Sequence, residues 1–61
     1  MNNAEKIKNL EKLLTEKEEE KQRIKDDYKA KKILSKEAAR LLANVYDEMS
    51  RIEKKIKKAS K

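Results

Sequence analysis

One heptad register runs without a break from Ile7 to Ala59, and it limits the chain to long amphipathic helices. Its a positions are Ile7, Leu14, Lys21, Tyr28, Ser35, Leu42, Met49 and Ile56. Its d positions are Leu10, Lys17, Ile24, Lys31, Ala38, Val45, Ile52 and Ala59. All but Lys17, Lys21, Lys31 and Ser35 are apolar, in a chain whose residues are 49% charged. An apolar residue every 3.5 positions is the pattern of helices that pack along a seam, with the remaining surface left to water.

Two arrangements satisfy this register. A single straight helix would place Ile33 at f, in water, and Leu34 beside it at g. In a parallel pair of such helices Lys17, Lys21 and Lys31 would each meet their own copy, and polar residues in a seam are tolerated only singly and at a cost. An antiparallel hairpin instead sets Ile7 opposite Ala59, Leu10 opposite Ile56, Leu14 opposite Ile52, Ile24 opposite Leu42 and Tyr28 opposite Ala38. Lys17 then faces Met49 and Lys21 faces Val45, where the butylene stems cover apolar surface and the ammonium groups reach out to solvent. The expected fold is therefore all-α. Residues 1–61 form one hairpin domain, with a helix over about 3–31, a turn at 32–34 and a helix over about 35–59. The alternative is one long coiled-coil helix, about 80 Å end to end.

The turn reads Lys-Lys-Ile-Leu-Ser-Lys-Glu-Ala. Lys32 is expected to take the left-handed position that ends the first helix, at roughly 1 kcal/mol, with Ile33 packing back on Tyr28. Ser35 is expected to cap the second helix, Leu34 to close over Ala39, and Glu37 to complement the helix dipole. At the other end Asn2 and Glu5 have capping-box spacing. Acid-first pairs four residues apart, Glu19 with Arg23, Asp27 with Lys31, Asp47 with Arg51 and Glu53 with Lys57, should each add about 0.2 to 0.5 kcal/mol of helix support. The turn resembles the linker of small two-helix modules of the SHOCT type, in which a glycine, two aliphatics, a Ser or Thr cap and acidic residues join two helices. Lys32 stands where that pattern has glycine. The resemblance implies an oligomerisation or adaptor role. The architecture alone is also similar to the Rop family of plasmid copy-control proteins, and fold by itself does not carry function.

Composition excludes several classes of function. The chain has no Cys and no His, which removes disulfides, zinc sites and the usual general base. Without Gly no phosphate-cradling loop can be built. Ser35, Ser50, Ser60 and Thr15 have no histidine to activate them, and Asp26 and Asp27 lie on a solvated helix. No catalytic residue, cofactor, metal or small-molecule substrate is expected. No apolar run is long enough for a membrane span, and no secretory signal is visible, so the expected location is cytoplasmic. With only 61 residues the domain is short of core, and association is the remaining source of stability. A homodimer, pairing two hairpins into a four-helix bundle, would cover Leu13, Leu41, Leu42 and Tyr46.

Two functional readings follow. The first is a protein-interaction module or adaptor, in the style of a phage or plasmid regulator that binds a larger protein. Its expected surface is Leu41, Leu42, Val45, Tyr46 and Met49, rimmed by Arg40 and Arg51, because Tyr, Met and Arg are enriched at interfaces. The second is a basic nucleic-acid-binding hairpin, using Lys29, Lys31, Lys32, Lys36, Lys54, Lys55, Lys57 and Lys58. Net charge is +6, but only Arg23, Arg40 and Arg51 among 18 basic residues are arginines. Bidentate recognition of phosphates and bases leans on Arg, and with Tyr28 and Tyr46 the only aromatics no stacking platform for bases is visible.

Overall fold

The computed structural model describes residues 3–60. Two helices, α1 (Asn3–Lys29) and α2 (Ser35–Ala59), fold back on one another as an antiparallel hairpin. The molecule measures 47 × 14 × 10 Å, a single layer two helices wide and half the length of a straight rod. The cap expected at Asn2 lies outside the described residues.

The hairpin exists because α1 ends in a Schellman motif. Lys31 takes φ 62°, its N–H donates to the Tyr28 carbonyl at 3.0 Å, and the Lys32 N–H reaches back to the Asp27 carbonyl at 2.9 Å. These two bonds satisfy carbonyls that the end of the helix would otherwise orphan. The left-handed residue is thus Lys31, one place earlier than expected, and α1 stops at Lys29 rather than Lys31. Glycine reaches that φ without the Cβ penalty, so Lys31→Gly is expected to stabilise the fold by about 0.5 to 1 kcal/mol. A higher urea midpoint with an unchanged slope would confirm it.

The turn differs from expectation in three further ways. Leu34, at φ −78° and ψ 155°, is the N-cap residue of α2, so Ser35 is already helical and no side chain caps that end. Leu34 does not close over Ala39 but stands 77% exposed. Ile33 packs against the cluster of Ile24, Ala38 and Val45, while Tyr28, 48% exposed, stays outside the core. At the far end of α2 the Ser60 hydroxyl donates to the Ile56 and Lys57 carbonyls, both at 3.1 Å.

Every buried side chain among the described residues occupies a d position: Ile24, Ala38, Val45 and Ile52. The a positions Ile7, Leu14, Lys21, Leu42, Met49 and Ile56 are only half-buried. The pair is rolled about its seam. The small side chains of Ala38 and Val45 are sealed on the d side, while Leu42 and Met49 on the a side pack against that cluster and stay half-covered.

Candidate interaction surface

Helical phase assigns the remaining apolar surface to two long faces, because e lies beside a and g beside d on the helix circumference. The face lined by a and e positions carries Leu14 and Tyr28 from α1, and Leu42, Tyr46 and Met49 from α2. Tyr46 is 47% exposed, and the Lys21 ammonium lies 5.7 Å from its ring centroid. A cation over an aromatic face at that distance is worth about 0.5 to 1 kcal/mol at an exposed site, and here it steadies the ring.

The opposite face, lined by d and g positions, carries Leu13, 41% exposed, and the half-buried Leu41. Between them Lys17 bridges the helices: its Nζ lies 2.7 Å from a Glu48 carboxylate oxygen and 3.4 Å from Glu20. Both seam lysines thus lay their stems along apolar surface and turn their charges outward, as the register requires. The hydrogen bond to Glu48, with the charges of Glu20 and Glu48, holds the Lys17 ammonium above its ordinary 10.5 despite partial desolvation. A raised value in the folded state makes the pair's contribution complete below pH 10.5 and lost as pH rises through the raised value. Lys17→Leu is expected to remove that alkaline dependence. It should also raise the neutral-pH melting temperature, since leucine fills the seam and leaves Glu20 and Glu48 in water; melting curves at neutral pH and above 10.5 read both effects.

The interface residues expected from sequence do not form one patch. Leu42, Tyr46 and Met49 share the a-lined face, Leu41 lies on the other, and Val45, 2% exposed, is interior and corrects its expected place on the surface. Arg51 sits on the outer side of α2 in an ion pair with Asp47 at 3.1 Å. Arg40 lines a shallow groove at the turn with Leu34, Lys36 and Glu37. Among the described residues, Asp47 with Arg51 is the one acid-first pair of the four expected that closes within ion-pair distance.

The expected nucleic-acid lysines separate to opposite ends of the 47 Å molecule. Lys29, Lys31, Lys32 and Lys36 surround the turn, and Lys54, Lys55, Lys57 and Lys58 stand at the open end, all exposed. Sequence reasoning missed their neighbour: Lys6 lines one open-end groove with Lys55 and Lys58. The pairing of Ile7 with Ala59 and Leu10 with Ile56 already contained that signal. The Thr15 hydroxyl donates to the Glu11 carbonyl at 3.1 Å, as that of Ser60 does to Ile56, and the surface grooves are shallow. Among the described residues no helix is long and apolar enough to cross a membrane, and no carboxylate, Cys and His cluster could hold a metal.

The fold and surface together define a two-helix hairpin with unpartnered apolar faces. No protein-family model, curated protein or solved structure matches this chain, so the likeness to SHOCT-type hairpins rests on the residues of the turn alone.

Proposed function

We propose that this chain is a non-enzymatic helical interaction module, an adaptor that acts by laying an apolar helix face against another protein and so modulating it. The observation that carries this reading is the a-lined face, where Tyr46 stands 47% exposed beside the half-buried Leu42 and Met49. Tyrosine supplies large, rigid contact area and methionine adapts to the surface it meets, and half-covered aliphatics beside them make up an interface core lacking its second side. A phage- or plasmid-type regulator of a larger protein fits this size and style.

A second reading, a nucleic-acid-binding hairpin, is favoured by one observation: Lys6 joins Lys55 and Lys58 at the open end. Lysine clusters give salt-sensitive, sequence-independent attraction to phosphates. Affinity capture on the full chain separates the two readings. A stoichiometric protein partner retained at about 0.5 M salt supports the module; retention of nucleic acid alone, lost steeply between about 50 and 200 mM salt, overturns it.

A further inference from the structure

We infer that the a-lined face is covered by a second copy of this chain, stacked antiparallel about a two-fold axis that crosses both helices at the level of Tyr46. The inference rests on the interaction-module reading: a second copy takes the a-lined face, and the opposite face with Leu13 and Leu41 is left for the other protein.

Surface area argues for a second layer. The chain exposes 5259 Å², whereas a globular chain of its 61 residues exposes about 4,100 Å². Its radius of gyration is 14.2 Å against about 10.5 Å for a compact domain of this length. The excess, about 1,100 Å², exceeds the roughly 800 Å² that each partner contributes to a standard interface. Burial says which face the second layer takes. On the d side four side chains are already sealed, with Val45 at 2% exposure, and the Lys17 to Glu48 ion pair crosses it at 2.7 Å. On the a side none is sealed, and Tyr28 and Tyr46 are 48% and 47% exposed.

Charge selects the orientation. With Lys17 against Glu48 and Lys21 against Tyr46 fixing the levels, stacking α1 on α1 and α2 on α2 brings Glu18 of one copy beside Lys21 of the other, Leu42 near Met49, and each Tyr46 beside its own counterpart. Stacking α1 on α2 would instead set Glu11 beside Glu53, a like-charge contact that disfavours that arrangement. Both ends of the hairpin are basic in either case, so screening salt should tighten the dimer.

Because the natural chain has no cysteine, single substitutions report the geometry cleanly. Expected results are a wild type that sediments as a dimer at tens of micromolar, and a Tyr46→Cys variant that oxidises to a covalent dimer. Glu48→Cys, at the same level on the opposite face, should stay monomeric on a denaturing gel. Tyr46→Glu should weaken dimerisation about 100-fold with helicity retained. A monomeric wild type overturns the proposal, and so does cross-linking through Glu48→Cys but not Tyr46→Cys. Neither outcome touches the interaction-module reading, which falls only if salt-stable capture finds no other protein.

Discussion

Replacing Ile24 with alanine is expected to cost about 2 to 5 kcal/mol, the range for emptying a sealed aliphatic site. A 61-residue domain has about 3 to 9 kcal/mol of stability in all, so the variant should lose about half of it or more. Ile24 is the sole buried residue of α1, 8% exposed, and it holds that helix to Ala38 and Val45. Between Leu14 and Ile24 the seam of α1 offers only Lys17 and Lys21. No neighbour can take over the contact. Ile52, 6% exposed, should behave similarly. Leu42 should not: the register alone ranks it with Ile52, but it is half-buried, and in dilute monomer its change to alanine should cost clearly less. Urea unfolding at low protein concentration checks the order; equal losses for Leu42 and Ile24 would contradict the rolled packing.

Ala38→Leu is expected to destabilise by about 1 to 3 kcal/mol, because the added volume enters a site 4% exposed where the helices approach on the d side. Ala43→Leu, on the exposed back of the same helix, should change stability by no more than about 0.5 kcal/mol. Comparable losses at both positions would place α2 in a different rotation about its axis. Circular dichroism melts with matched urea titrations are sufficient to separate the two.

The stop of α1 was legible to within two residues and its left-handed residue to within one, and the reason for the miss is local. Either Lys31 or Lys32 could carry the left-handed turn, since neither side chain prefers it. The motif forms at Lys31, whose N–H reaches Tyr28 while the next N–H reaches Asp27, and this placement goes with Ile33 packing against the core. Ser35 looked like a cap because serine favours that role, yet the cap falls one residue earlier, on Leu34, whose carbonyl accepts the Ala38 N–H at 2.9 Å. Placing Ile33 against Ala38 and Val45 directs Leu34 outward, an outcome of packing that no propensity encodes.

Which residues of the candidate surface share a face was legible only in part. Tyr46, Met49 and Leu42 stood out as the richest apolar stretch, and they do share a face. Val45 belongs to the same stretch, but a one-position change of phase on a helix is 100°, enough to carry it from surface to interior.

What the sequence indicated by itself is the seam and the reversal: most of the residues that line it, a turn near 32–34 in preference to one long helix, and the snorkelling of Lys17 and Lys21. All of this follows from local periodicity, whose physical basis is the fixed 3.6-residue turn of the helix. Only the tertiary structure decided the roll of the pair, which seals Ile24, Ala38, Val45 and Ile52 and leaves Tyr28 and Tyr46 outside, and the meeting of Lys6 with Lys55 and Lys58. Those depend on the volumes of side chains that touch across the hairpin, far apart in the chain, and a heptad assigns a and d to the same seam without saying which of them closes first.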